Sequence, residues 1–507
     1  MFTQPAVALG ESDSQGLRKA VSTDRIKRHM QALQTIADTY GGGNRLAGTA
    51  GYDKSAEYVK SKLVAAGYHV TEHAFTFQLN SERTPSVLAQ TGPSSRTFPN
   101  GVDFAAMSYS GSGDVTAAVT AVDILEPTGP ANSSTSGCEA ADFAGFPAGT
   151  VALVQRGACS FRLKAENAKA AGAIGTIVFN EGQAGRTGII NGTLAEPAFD
   201  QPVVGATYEV GQALSNGVST GSTGSTARLR TDMINELRSS VNLLAETPGG
   251  DSNSVVVVGA HLDSVSRGAG INDNGSGSAT VLTLAEQFAA RGITPRNKVR
   301  FAWWGAEEHG LIGSNRYVAS LSEAELAKIK MNLNFDMIGS PNYARFVYDG
   351  DNSAYPAGTG SAAGPDGSGE IERVFHQYFA SQNLASEETP FSGRSDYGPF
   401  IAKGIPAGGL FTGAEGVKTA EQAAKFGGTA GVAYDACYHL ACDTIANVNM
   451  QGLDEMSDAV AHTTLHFAKR NFVKYPLVNP AGPVGPGGGT TSGGGLHDDH
   501  DHEAEES

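Results

Sequence analysis

The apolar positions change period along the chain. From Thr23 to Thr39, Ile26, Met30, Leu33 and Ile36 recur at helical spacing, and Gly41-Gly42-Gly43 ends the run. A second helix is predicted from about Gly51 to Ala66, with Tyr58, Val59 and Leu63 apolar and Gly67 at its end. His69 to Phe77 then alternates as a strand does. Beyond Glu236, short buried-type runs at Val255–Val258, Val299–Trp303 and Met331–Phe335 read as strands, and Ser278–Arg291 reads as a helix. Strands alternating with helices predict an α/β fold: a mixed, mainly parallel sheet flanked by helices.

The stretch from about Ser81 to Asp232 has a different texture. It is rich in Gly, Ser, Thr and Ala, with strand-like runs and few residues suited to catalysis. One part is well patterned: a strand at Val151–Val154, a turn at Arg156-Gly157, a helix from Phe161 to Ala171 and a strand at Gly175–Phe179. This β-α-β unit sits in a mostly β insert. The expected organisation is a flexible segment over 1–19, an α/β domain built from 20–80 and 236–475, and an insert over 81–235. Residues 476–507 form a Pro/Gly-rich linker and an acidic His/Asp tail that cannot bury apolar surface and are expected to be disordered. The tail's His497 to His502 run could capture metal, but a solvated acidic tail is the plainer reading.

Charge and cysteine content narrow the setting. The formal net charge is -16, and the last eleven residues hold six carboxylates without a Lys or Arg, leaving -10 on the rest. No basic patch is present, which argues against nucleic acid. No apolar stretch of about 20 residues exists, so no membrane span is expected. Cys138 and Cys159, and Cys437 and Cys442, form two local groups without zinc-finger spacing. Two short-range disulfides in an oxidising compartment fit them, as would four buried thiols. Met1 to Gly10 lacks a basic start and a full apolar core, so the expectation is a secreted protein trimmed of its export signal, with a cytoplasmic protein as the alternative.

The predicted strands of the α/β domain end in acid or imidazole. Val255–Val258 leads to His261 and Asp263, and Gly270 to Asn274, carrying Asp273, opens the next helix. Val299–Trp303 leads to Glu307 and Glu308, and Met331–Phe335 leads to Asp336. Ligands of open α/β sheets bind beyond the carboxyl ends of the strands, so these side chains should converge. A lone Glu-Glu pair is ordinarily a solvated loop and a lone His-x-Asp a satisfied loop histidine; their joint placement at three strand ends is what carries weight. Several carboxylates in one crevice need compensating charge, and no Lys or Arg lies beside them in sequence. Divalent cations supply it, and mixed His and carboxylate donors favour zinc. Two ions about 3.5–4 Å apart can share a bridging carboxylate.

These segments resemble the co-catalytic zinc aminopeptidases of the M28 peptidase group, close to its actinomycete, leucine-preferring members. The strings are Gly-Ala-His-Leu-Asp-Ser-Val from Gly259, Gly-Ala-Gly-Ile-Asn-Asp-Asn-Gly-Ser-Gly-Ser from Gly268 and Phe-Ala-Trp-Trp-Gly-Ala-Glu-Glu from Phe301. Leu-Asn-Phe-Asp-Met-Ile-Gly-Ser-Pro from Leu333, Gly-Arg-Ser-Asp-Tyr from Gly393 and Cys-Tyr-His from Cys437 extend the likeness. The resemblance implies two zinc ions per chain, with His261 and Asp336 on one, Glu308 and His439 on the other, and Asp273 bridging. It implies Asp263 behind the His261 ring, a water between the metals as nucleophile, Glu307 as its general base and Tyr438 on the oxyanion. It also implies a cis peptide after Asp273.

The resemblance further implies a peptide substrate with a free N-terminus. Its amine would be anchored by Glu307, Asp336 and the Arg394 carbonyl. Its large apolar side chain, such as leucine, would enter a pocket of Met337, Gly393 and Phe411 above a Cys437–Cys442 disulfide. Met337 and Phe411 also suit plain core packing. The family's calcium site would map to Asp454 and Asp458, but its N-terminal acid is replaced by Ala20, which argues against calcium. A monomer is expected.

The insert resembles a protease-associated (PA) domain, on the string Val151 to Phe161 with Lys164 and Asn167 to Gly172, its core at about 110–230. A Cys138–Cys159 disulfide fits it, and the implied role is partial cover of a cleft; a passive insert is the alternative. A carboxypeptidase of the same clan would need a basic cluster for the substrate carboxylate, and only Arg394 is in a plausible place. A metal-free binding protein is the third reading, but every ligand position is filled by a competent residue.

Overall fold

Val255 to Val258 are buried on both faces, as a central parallel strand requires, and they sit within the strand Asp251–His261. It is flanked by parallel neighbours, Asn297–Trp304 on one side and Ile329–Phe335 on the other. Ala407–Phe411 continues the parallel order beyond Ile329–Phe335. Phe346–Tyr348 then runs antiparallel to Ala407–Phe411, with Glu387–Thr389 parallel to it at the edge. On the other flank, Leu243 to Glu246 pair antiparallel with Asn297–Trp304. The sheet is mixed and mainly parallel, as the alternating pattern implied. In the computed structural model, residues 11–355 and 361–479 are described.

The chain divides into two compact units among these residues. One comprises the chain up to Phe77 and from Arg238 onward; the other is Gln78–Leu237. In the first, helices Thr23–Tyr40, Ala50–Ala65 and Gly277–Ala290 accompany the sheet. The Thr23–Tyr40 helix buries Ile26, Met30, Leu33 and Ile36, the residues that gave its period.

The second unit carries a further run of paired strands. Gly113–Ala121, Val151–Gln155, Gly175–Phe179 and Val203–Ala206 are successive parallel neighbours, with Phe104–Ala106 antiparallel at one end. Gly113–Ala121 also pairs antiparallel with the first part of the long strand Gly221–Glu246. Helix Phe161–Ala170 follows Val151–Gln155, and the Ser160 side chain caps it by accepting from the Leu163 N–H. Cys138–Cys159 closes a disulfide in this unit, and Cys437–Cys442 closes one in the other.

Both termini correct the expectation. The segment expected to be flexible up to residue 19 is a helix from Glu11 to Ala20. Leu17 is buried, Ser14 Oγ lies 2.8 Å from His462 Nδ1, and Arg18 lies 3.1 Å from Asp458. Tertiary partners stabilise a sequence whose own helix propensity is poor. Residues 476–479, expected to be disordered, are also ordered: Asn479 Oδ1 accepts from the N–H groups of Gly367 and Gly369 at 2.9 Å each. The rest of the expected flexible start, residues 1–10, and of the linker and tail, 480–507, lies outside the described residues.

The C-terminal helix Met450–Lys469 carries a titration that the folded state suppresses. His466 is buried, with no hydrogen-bond partner for Nε2 among the described residues, and burial beside Arg470 pushes its imidazole down to about 3. Between that value and the ordinary 6.5, the unfolded chain binds a proton that the folded chain refuses. Stability attributable to this residue is complete above pH 6.5 and falls as pH drops toward 3, by about 2 kcal/mol at pH 5. Urea midpoints at pH 7.5 and 5, read by fluorescence of the buried Trp303 and Trp304, should separate less in His466→Met than in the wild type. Equal separation in both proteins would remove His466 from the acid response.

Candidate metal centre

The strand Asp251–His261 ends on His261, and the chain turns there toward the Ile271–Ser276 segment that carries Asp273. Gly270, just before that segment, has φ +60°, and a Cβ on it would lie 2.2 Å from the Asp273 carbonyl oxygen. The Asp273–Asn274 peptide is cis. Asn274 ties this turn to the next strand, donating to the Phe335 carbonyl at 2.9 Å and accepting from the Gly277 N–H at 2.9 Å.

Five side chains then meet. The Asp273 carboxylate divides between two imidazoles: Oδ1 is 3.2 Å from His261 Nε2, and Oδ2 is 3.1 Å from His439 Nε2. His261 Nε2 is also 3.2 Å from Asp336 Oδ1, and His439 Nε2 is 3.0 Å from Glu308 Oε2. The groups His261–Asp336 and His439–Glu308 thus face each other across one carboxylate. Two donors each about 2.0–2.1 Å from a tetrahedral ion stand roughly 3.3 Å apart, so these separations suit a shared cation.

The surroundings orient these groups. Ser395 donates to Asp336 Oδ2 at 2.7 Å and accepts from Asn334 at 2.8 Å. Asp443 accepts from the Asn272 and Asp273 N–H groups at 2.8 and 3.0 Å. Asp263 accepts from the N–H groups of Glu307 and Glu308 at 3.2 and 3.3 Å. Its carboxylate is 3.7 Å from His261 Nδ1, an ion-pair distance rather than a hydrogen bond. Ala306, Met337 and His439 all have φ near +50° (56°, 46° and 55°), a conformation that costs L-residues energy and is found where packing imposes it.

The cluster lacks enough positive charge of its own. Burial, with repulsion from Asp396, Asp336 and Glu308, pushes Glu307 well above the ordinary carboxylate range despite the pull of His261. Burial and Asp273 push Glu308 up to about 7. Burial also lifts Asp396 to about 8, helped by Asp336 and Asp263. Burial opposes protonation of His439, but Glu308 and Asp273 outweigh it and raise the imidazole to about 10. A set that must collect protons to offset its charge is a set that a divalent cation can discharge.

Of the residues expected to line a substrate pocket, Met337 directly follows Asp336 in the chain. Met337 and Phe411 are buried in an apolar group with Phe346, Phe426, Tyr397 and Tyr434, and Tyr438 packs against it. The Gly393 N–H donates to Tyr397 Oη at 3.0 Å, and half-buried Arg394 follows. A hollow of about 580 Å³ passes Gly393, Leu311, Pro399 and Ile401. The Tyr438 ring stacks on His439 at 3.8 Å between centroids, and burial keeps its phenol protonated. Of the two acids that match the family's calcium site, Asp458 carries the Arg18 guanidinium and Asp454 accepts from Thr23 Oγ1 at 2.6 Å.

Residues 242–464 match peptidase family M28 and residues 115–214 match the PA domain. An aminopeptidase of Pseudomonas aeruginosa is 49% identical over 451 residues, covering 89% of this chain and 81% of its own length. The chain belongs to peptidase family M28. Leucine aminopeptidase 2 of Trichophyton equinum is 40% identical to this M28 peptidase, covering 93% of the chain and 91% of its own length. Among solved structures, an aminopeptidase from Aneurinibacillus sp. strain AM-1 superposes with a TM-score of 0.66 at 26% identity, covering 92% of this chain and 98% of its own.

Sequence reasoning missed Ser395, Asp396 and Asp443 of the M28 site, and with them Arg45. Arg45 comes from the loop between the first two long helices and is fully buried. It donates to the carbonyls of Leu262, Ala269 and Gly270. Asp263, Asp443, Asp273 and Glu308 are its charged neighbours. No sequence signal near the acids pointed to it, because it lies over two hundred residues away.

Proposed function

We propose that this M28 enzyme is a two-zinc aminopeptidase that removes large apolar N-terminal residues, leucine among them, from peptides. The coarser statement, a metallo-aminopeptidase and hence a hydrolase acting on peptides, rests on the family and on relatives up to 49% identical. The finer one rests on Asp273, whose two oxygens face two separate His–carboxylate groups. His261 and Asp336 would hold one ion, His439 and Glu308 the other, with Asp273 between.

When bound, zinc supplies Lewis-acid charge for the scissile carbonyl and eases ionisation of the attacking water. Glu307 removes a proton from that water and returns it to the leaving amine. Its burial suits a shuttle, since a carboxylate in apolar surroundings is a stronger base. Tyr438 donates to the oxyanion from a phenol that burial keeps protonated. Glu307, Asp336 and the Arg394 carbonyl receive the substrate ammonium. Met337, Phe411 and Gly393 border the place for its side chain.

Disulfides at Cys138–Cys159 and Cys437–Cys442 support secretion, and no described helix is long and apolar enough to cross a membrane. Release of the chromophore from a leucyl anilide, with and without chelator, tests the reading. Hydrolysis that chelator abolishes, that zinc restores and that N-acetylation of the substrate blocks is the expected result. Equal rates on free and N-acetylated substrate would rule out an aminopeptidase.

A further inference from the structure

A second cluster of buried ligand-type residues lies at the edge of the same sheet. Helix Ser368–Ser381 presents Glu372 and His376 one turn apart, and the edge strand Glu387–Thr389 presents Glu388. His376 Nε2 is 3.7 Å from Glu372 Oε1 and 4.0 Å from Glu388 Oε1. Asp349 and Asp351 follow the strand Phe346–Tyr348, and a donor atom of each lies within 4.8 Å of one on Glu372. That strand runs antiparallel to Ala407–Phe411 and carries the chain away from the carboxyl end, where the catalytic residues converge.

Two atoms in this cluster lack the partner that burial demands. His376 is 6% exposed and Glu372 is fully buried, yet neither His376 Nε2 nor Glu372 Oε1 has a hydrogen-bond partner among the described residues. The other atom of each side chain is engaged. His376 Nδ1 lies 2.8 Å from Ser386 Oγ, and Glu372 Oε2 accepts from the Gly350 N–H at 2.9 Å. In the tautomer that carries the proton on Nδ1 and donates it to Ser386, Nε2 turns its lone pair to the two carboxylates, the arrangement of metal-ligating histidines. The nearby Lys425 is bound to Glu387, 2.8 Å away, and no described Lys or Arg forms an ion pair with Asp349, Asp351, Glu372 or Glu388. Leaving buried acids and an imidazole lone pair uncompensated is costly.

We propose that Glu372, His376 and Glu388 form a second, structural site for a divalent ion of the zinc class, with Asp349 and Asp351 adding negative charge beside it. Donors about 2.0–2.2 Å from a tetrahedral ion stand roughly 3.3–3.6 Å apart, so the observed 3.7 and 4.0 Å need to close by only a few tenths of an ångström on binding. The imidazole donor favours zinc over calcium. The ion ties the helix to the edge strand, while Glu372 Oε2 holds the following turn through the Gly350 N–H.

The test counts zinc by plasma mass spectrometry in the full chain, loaded with zinc and freed of loosely held metal. Two backgrounds are used: the wild type, and a His261→Ala/His439→Ala protein with the catalytic cluster disabled. His376→Ala should remove one zinc per chain in both, and should abolish the chelator-induced fall in Tm that persists in the disabled background. Unchanged zinc in both backgrounds overturns the proposal. Should His376→Ala not fold, Glu388→Gln, nearer the surface, must give the same loss. Stabilisation of the disabled protein by calcium but not by zinc also overturns it, and moves the ion to Asp349, Asp351 and Glu372. A failure of the catalytic reading is separate: the His261→Ala/His439→Ala change would then leave the zinc count untouched.

Discussion

Replacing Glu307 by Gln is expected to lower kcat on a leucyl anilide by about 10²–10⁴ while leaving bound zinc unchanged. The amide keeps the size of the side chain and loses the ability to take a proton. None of the close His–carboxylate contacts runs through Glu307; they join His261 to Asp273 and Asp336, and His439 to Asp273 and Glu308. A second readout separates a proton shuttle from a structural acid. In the metal-free protein, burial and the carboxylates of Asp396, Asp336 and Glu308 disfavour charge on Glu307. Glu307→Gln should therefore unfold no earlier than the wild type once both are stripped of metal. A kcat within tenfold of the wild type would eliminate Glu307 as the base. A zinc count that falls with activity would instead make it a ligand.

The elements that could be read from the residues are those whose pattern matches their burial. Val255 to Val258 form an unbroken apolar run because both faces of that strand are covered. The strand Ala407–Phe411 escaped because two of its five residues are glycines. Packing explains the glycines: a Cβ on Gly409 would sit 1.8 Å from the Asn334 carbonyl oxygen, and one on Gly408 would sit 2.6 Å from an Ile371 methyl. Helix Glu11–Ala20 escaped for the opposite reason, since it offers one buried aliphatic side chain, Leu17, and depends on His462, Tyr378 and Asp458 for the rest. Period arguments cannot see an element that its neighbours impose.

The site divides along the same line. His261, Asp273, Glu307, Glu308 and Asp336 follow or open predicted elements, so fold-level reasoning brings them together. His439 lies in a loop, and only the resemblance placed it. Ser395 and Asp443 act on proposed ligands or on the backbone beneath them, and the Arg45 side chain acts on carbonyls. Such contacts leave no periodic trace in a single sequence.

Arg45→Met is the second large effect, and its size follows from what the guanidinium holds. Three carbonyls accept from it, at Leu262, Ala269 and Gly270. Leu262 follows His261, and Gly270 precedes the segment bearing Asp273, so one side chain pins both turns that carry proposed ligands. Methionine fills much of the volume and donates nothing, leaving three buried carbonyls without their partner. A loss of about 3–5 kcal/mol is expected, or about 4–7 °C in the Tm followed by fluorescence of Trp303 and Trp304. Arg45→Lys should recover little, because one ammonium cannot reproduce the planar fork. Zinc affinity distinguishes two roles for the arginine. As a counter-charge to Asp263, Asp443, Asp273 and Glu308, its removal would tighten zinc; as a pin for the turns, its removal loosens zinc. All its hydrogen bonds go to neutral carbonyls or the Ser264 hydroxyl, so looser zinc is expected. Tighter zinc, or a stability within 1 kcal/mol of the wild type, would show that the turns hold themselves.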